Sequence, residues 1–222
     1  MKAIAFSEHG KISGWVKKKN CCDEHGIKYI HAVEIYLTEK LEPKVRDNYH
    51  TVLTARNYKG VQEINSIVSK SFNPDHFYYA NRITFQEFLS LSNNVITTSA
   101  CLASPLNKLD VTHPMYKKLI ERYDYLEIQP HKDGDQVKFN QHLAMLAEEY
   151  KKPLIAGTDT HSLNQYKAEC RKILLAYKKQ SYGNEDDFDL TWKSYDELVN
   201  AFEEQGALPS NLYMEAIENT NR

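Results

Sequence analysis

The sequence is poor in cysteine, and the little it has is badly spaced for clamping a metal by itself. Only four occur, Cys21, Cys22, Cys101 and Cys170, and no C-x-x-C pair is among them. Adjacent Cys21 and Cys22 cannot readily close on one ion. That argues against a zinc finger and against a disulfide framework, and it fits a reducing cytoplasm. Long apolar runs are also missing, since none approaches the ~18 residues that a membrane helix needs. The opening MKAIAFSEHG has no apolar core followed by a small-residue cleavage site, so secretion is not expected. A surplus of positive charge is absent too: 28 Lys and Arg against 30 Asp and Glu leave a net −2, with both signs scattered. If nucleic acid is the substrate, most of the grip must come from elsewhere. There is no internal repeat and no low-complexity linker.

What remains is an ordinary globular composition. The 222 residues are 41% hydrophobic and 26% charged, enough for one large domain or two small ones. Short β-rich runs alternate with helical patterns. Strands are expected at Ala3–Phe6, Tyr29–Leu37, Tyr49–Ala55, Val95–Thr98, Tyr125–Gln129 and Leu154–Ala156. A helix is expected through Ile12–His25, ending at Gly26, and another where Val61, Ile64, Ile67 and Val68 recur. Phe139, Leu143, Leu146, Ala147 and Tyr150 share one helical face, and Pro153 stops that helix. Later helices are expected at Gln165–Lys179, Ser194–Gln205 and Ser210–Asn221, with Ser194 and Glu197 forming a capping box. The acidic stretch Asn184–Asp189 reads as a loop, and its Asp187-Phe188-Asp189 as solvated surface rather than a polymerase site. The alternation predicts an α/β fold with a largely parallel sheet or barrel.

Residues able to carry chemistry gather at strand ends, where α/β folds place such groups. Glu8 and His9 follow the first strand and could bind a divalent ion, or simply form a polar turn closed by Gly10. Glu34 lies in the run Ile30-His31-Ala32-Val33-Glu34-Ile35-Tyr36. A carboxylate buried there needs a partner or a metal; on an exposed face it would point to water. His31 falls on the opposite strand face by alternation. His50 opens a strand and is either structural or a ligand, and Cys101 follows Thr97-Thr98-Ser99-Ala100 as either an inert core thiol or a donor. The strongest signal is Ala156-Gly157-Thr158-Asp159-Thr160-His161, in which Asp159 and His161 follow a strand and Gly157 is expected to relieve the backbone. Together these positions supply carboxylate, imidazole and thiolate donors, a mix that suits zinc, manganese or iron.

In order along the chain, SEHG, VEIYL, NYHTVLTARNYKGVQEINSIVSKSF, FYYANRI, TTSACLAS, YLEIQPHKDG and AGTDTHSL resemble the polymerase-and-histidinol-phosphatase (PHP) domain of bacterial DNA polymerase III alpha subunits. WKSYDELVNAF, followed by NTNR, is similar to the helical stretch where that domain passes towards the polymerase core. The resemblance implies a distorted β/α barrel with strand ends holding up to three metal ions. It divides the chain into a PHP-like metal-site domain over 1–180 and a helical extension over 181–222. It implies metal-dependent phosphoester hydrolysis, with 3′–5′ exonuclease proofreading as the use in some polymerases, and DNA and replication polymerase subunits as partners.

By that resemblance Glu34 bridges two metals, with His50 and Cys101 completing one site. Asp159 serves the first site and shares the catalytic role with Glu34, while His9 and His161 serve the third. His131, in Gln129-Pro130-His131, belongs near the same rim. Two departures stand out. The family's opening strand carries an H-x-H pair, and no such pair exists here, which leaves the barrel incomplete at its N-terminus. The family's Asp before the turn histidine is Glu8. The first and third sites lose donors, the Glu34, His50 and Cys101 site stays whole, and hydrolysis is expected to be impaired. The alternatives are a stand-alone phosphatase for small phosphate monoesters and a purely structural polymerase-associated module.

Overall fold

The computed structural model describes residues 2–181 and 187–221. Its chain forms two compact units, the first ending at Tyr125 and the second beginning at Leu126. The α/β class holds. No closed ring of strands occurs among the described residues, which form one six-stranded and one two-stranded sheet.

The first unit is organised by one buried strand. Its elements are β1 (Ala3–Phe6), α1 (Trp15–Glu24), β2 (Lys28–Thr38), β3 (Tyr49–Ala55), α2 (Tyr58–Ser71), β4 (Phe77–Tyr78), β5 (Ala80–Thr84), α3 (Phe85–Leu89), β6 (Val95–Thr98), α4 (Pro105–Lys108) and α5 (Tyr116–Arg122). The sheet order is β4-β5-β2-β3-β6, and β1 also pairs with β2. Strand β2 is buried on both faces through its middle, where Val33, Ile35 and Leu37 have no exposed surface. Each such side chain contributes roughly 1.5–3 kcal/mol by leaving water.

The expectation of a largely parallel sheet is corrected. β2 pairs in parallel with β1 and β5 but antiparallel with β3, β3 is antiparallel to β6, and β4 to β5. The link from β2 to β3 carries no helix and is too short for a parallel crossover, so β3 must fold back. The first helix begins at Trp15 rather than Ile12 because Gly14 adopts φ +74°, a left-handed conformation that breaks the turn before it.

The second unit contains β7 (Leu126–Ile128), α6 (Gly134–Tyr150), β8 (Leu154–Ala156), α7 (Gln165–Lys178), α8 (Tyr195–Gln205), α9 (Ser210–Glu218) and a closing 3₁₀ turn over Asn219–Asn221. β7 and β8 are parallel. Phe139, Leu143 and Leu146 of α6 are buried, as the helical face predicted. The last helices belong to this core: Phe202 stacks on Tyr213 at 5.7 Å, and Asn219 Nδ2 donates to Leu154 O at 2.8 Å. Ser194 and Glu197 form the expected capping box. Part of the acidic Asn184–Asp189 loop lies outside the described residues. Helix α7 has no buried residue. No helix among the described residues is long and apolar enough to cross a membrane.

Candidate metal centre

Glu34 is fixed before any side chain is considered. Its N–H donates to Glu8 O at 3.1 Å, and its carbonyl accepts from Gly10 N at 2.7 Å, so the backbone of 8–10 runs along it as an added rung. Gly10 stands at φ +63°, and a Cβ there would come within 2.7 Å of Asn81 Oδ1. Only glycine permits this close turn. It leaves His9 beside Glu34, its Nε2 3.4 Å from Glu34 Oε1, with 47% of the imidazole exposed.

Three donors then converge in the first unit. Strand pairing sets Glu34 opposite Val52 and Tyr36 opposite His50, which brings the β3 histidine to the glutamate side of the sheet. The His50 backbone N–H donates to Ala103 O at 3.0 Å. Cys101 follows Ala100, a buried alanine at φ +56°. Such a conformation costs an ordinary residue about 1 kcal/mol and is a form of strain that gathers at functional positions. His50 Nδ1 lies 2.7 Å from Glu34 Oε1 and 3.4 Å from Cys101 Sγ. All three ligand atoms lie within 4.8 Å of one another. Glu34 and Cys101 are each only 5% exposed.

The shared nitrogen decides between two chemistries. A thiol–imidazole–carboxylate relay uses both ring nitrogens, one towards the nucleophile and one towards the orienting acid. Here both partners approach Nδ1, so the arrangement is not a relay. Convergence of an oxygen, a nitrogen and a sulfur atom on one small region is the pattern of a cation site. In a tetrahedral zinc site a sulfur and a nitrogen ligand stand roughly 3.5 Å apart. The Cys101–His50 spacing meets that, while the Glu34–His50 spacing is that of a hydrogen bond and must open by about half an ångström or more. The residues fit a divalent ion.

The remaining candidates are placed as follows. Glu8 is engaged by Lys18 in a salt bridge. His31 is buried away from the donors, its Nε2 2.9 Å from Asn65 Oδ1. In the second unit, Asp159 stands at φ +45° on the loop after β8. His161 Nδ1 lies 2.7 Å from Asp159 O and 3.6 Å from Asp159 Oδ1. A carbonyl only accepts, so Nδ1 is the donor in that contact. Gly157 has a different role from the one expected. Its φ is not positive; instead a Cβ would fall 2.1 Å from Glu127 Oε1, so the glycine makes room for that carboxylate.

Sequence reasoning missed two neighbours. The Tyr36 ring lies tilted against His50 at 4.9 Å between ring centroids, and two-residue alternation from Glu34 was a signal for it. Phe188 stacks on buried His131 at 4.6 Å, so the Asp187-Phe188-Asp189 stretch is not merely solvated surface. Burial, followed by the Lys193 ammonium, pushes the His131 imidazole down to about 4.

A match to the PHP domain runs over residues 1–142, and the chain belongs to that family. It is similar to the DNA polymerase III alpha subunit of Borreliella burgdorferi, with 29% identity over all of this chain and 20% of that protein. It is 27% identical to the alpha subunit of Aquifex aeolicus over 79% of this chain and 17% of that protein. The PolC-type DNA polymerase III of Clostridium perfringens is 28% identical over 92% of this chain and 15% of its own length. The chain thus spans about a fifth or less of the curated relatives it matches.

Proposed function

We propose that this chain is a PHP module that binds a divalent metal through Glu34, His50 and Cys101 and hydrolyses phosphoesters there. The observation that carries the reading is the convergence of those three side chains from β2, β3 and the loop after β6 on one buried point. When bound, the ion supplies Lewis-acid charge towards a phosphoryl oxygen and towards an attacking water. Glu34 provides the anionic oxygen, held in place by strand pairing. The His50 imidazole lies against the Tyr36 ring, and its backbone N–H is bonded to Ala103 O. Cys101 offers a thiolate from a buried position, and His9 reaches Glu34 from the exposed side. Zinc, manganese and iron all suit this donor set. Asp159 and His161 are proposed as further ligands, and residues 181–222 as the stretch leading towards a polymerase core, with DNA and replication polymerase subunits as the partners of the longer protein.

The test compares a phosphomonoester with a 3′-ended oligonucleotide after metal loading. Release of nucleotide that depends on both metal and Glu34 supports the reading. Release of neither phosphate nor nucleotide rejects it. A second reading, a structural polymerase-associated module, is favoured by the salt bridge that engages Glu8, a candidate ligand. It expects at most one tightly held ion per chain and no turnover.

A further inference from the structure

Beside the metal centre the first unit carries a row of rings and guanidinium groups. It starts at His50 and Tyr36, whose rings lie tilted against each other with 4.9 Å between centroids. Tyr36 is paired across the sheet with Arg82 of β5, and residues paired in register share a sheet face. The Arg82 guanidinium lies 5.9 Å from the Tyr78 ring centroid, and the Tyr78 and Tyr79 rings meet edge to face at 4.8 Å. Arg46 covers one side of Tyr79, its guanidinium carbon 4.4 Å from the ring centroid and its Nη2 donating to the Tyr79 hydroxyl at 3.1 Å.

The outer end of this row is open. Tyr79 is 74% exposed, and Arg46 is exposed as well. Two features hold them ready. Tyr79 sits at φ +61° in the single-residue turn between β4 and β5. Gly or Asn is the ordinary occupant of that conformation, and a bulky ring there costs stability. Arg82 Nη1 donates to Val45 O at 2.7 Å and to Asp47 O at 3.2 Å, pinning the loop on both sides of Arg46. An exposed ring on a strained turn, next to a braced cation, is costly to keep as mere surface.

Aromatic faces flanked by arginine are how proteins hold unpaired bases and their phosphates, because every base has a face to stack and every linkage a charge to meet. We propose that Tyr79 and Arg46 form a ledge for single-stranded nucleic acid, with a base on the open side of the Tyr79 ring and a phosphate on Arg46. Arg82 is the positioning residue behind them, and Tyr78 and Tyr36 continue the row to His50. The inference rests on the reading of a phosphoesterase centre and names its substrate class, a single-stranded polynucleotide rather than a small phosphate monoester. A ledge of one or two nucleotides also suits a chain with no overall basic surplus.

The test separates binding from hydrolysis. Anisotropy of a short fluorescein-labelled oligothymidylate is measured with the 222-residue chain in metal-free buffer containing EDTA and low salt. Tyr79→Ala should weaken binding by about tenfold or more, the scale of one base–aromatic stack, while Tyr79→Trp should keep it. Arg46→Ala should weaken binding and flatten the dependence on salt by about one phosphate contact. No binding by the unsubstituted chain, equal binding by Tyr79→Ala, or a Trp variant as weak as the Ala variant would overturn the ledge. If binding follows Tyr79 while metal-loaded protein releases no nucleotide, the ledge stands and the hydrolytic reading falls. If nucleotide is released but Tyr79 and Arg46 do not affect binding, the reverse holds.

Discussion

Glu34 and Asp159 are both candidate ligand carboxylates, yet the two regions that hold them are built by opposite means. Glu34 lies inside β2, bonded to neighbouring backbone on both sides, buried, and answered by His50 and His9. Asp159 lies on a loop past β8 in a left-handed conformation, and its link to His161 runs largely through its own backbone carbonyl. The first arrangement couples ligand geometry to the fold; the second holds ligand geometry locally. Loss of Glu34 should therefore damage both metal binding and stability, whereas loss of Asp159 should be felt in chemistry alone.

The sharpest way to break that comparison is to substitute both. Glu34→Ala leaves His50 without its buried acceptor and should cost about 2–4 kcal/mol in urea unfolding, with metal affinity falling by more than about 100-fold. Asp159→Asn keeps a residue tolerant of positive φ and should change stability by no more than about 0.5 kcal/mol. Equal losses would remove the distinction.

The next effect is acid sensitivity in the second unit. His131 has a folded pKa of about 4, below its unfolded value of 6.5. The unfolded chain binds the extra proton between those values, so stability is present above pH 6.5 and declines as pH falls towards 4. The loss is up to about 3 kcal/mol, and His131→Phe should flatten the curve measured by unfolding at each pH. A profile unchanged by that substitution would contradict the assignment.

A third, smaller effect probes the packing under the Asp159 loop. Gly157→Ala must displace the Glu127 carboxylate, which accepts from Gln129 Nε2 at 2.9 Å, and should destabilise by about 1–3 kcal/mol. A neutral result would show that the glycine is not there to make room. The smallest effect is expected at Lys18, whose salt bridge to Glu8 is partly exposed. Lys18→Ala should shift stability by less than about 1 kcal/mol, in contrast to the buried Glu34 cluster.

Much of this was legible in the residues, for physical reasons that also mark where reading stopped. An acid inside an apolar strand run poses a choice between a paired or ligated group and a solvent-facing one, and Glu34 proves buried and paired. Amphipathic spacing gave the buried face of α6, and the Ser194–Glu197 pattern gave the cap of α8. Strand direction was not legible: alternation suggests crossovers, but the short helix-free link after β2 forces an antiparallel return. Gly157 was read for its backbone freedom, whereas the space it leaves depends on Glu127, thirty residues away. The Tyr79 turn was hidden because its ring occupies a place where propensity expects glycine. Phe188 was masked by the acids on either side of it.

Elemental analysis of the purified chain tests the central claim most directly, comparing the unsubstituted protein with Glu34→Gln and Cys101→Ser after metal loading and removal of loosely held ions. Retention of at least one zinc, manganese or iron per chain, lost in both variants while they remain folded by circular dichroism, is the expected result. A chain that keeps no metal, or one whose metal content is unchanged without Glu34 and Cys101, would contradict it.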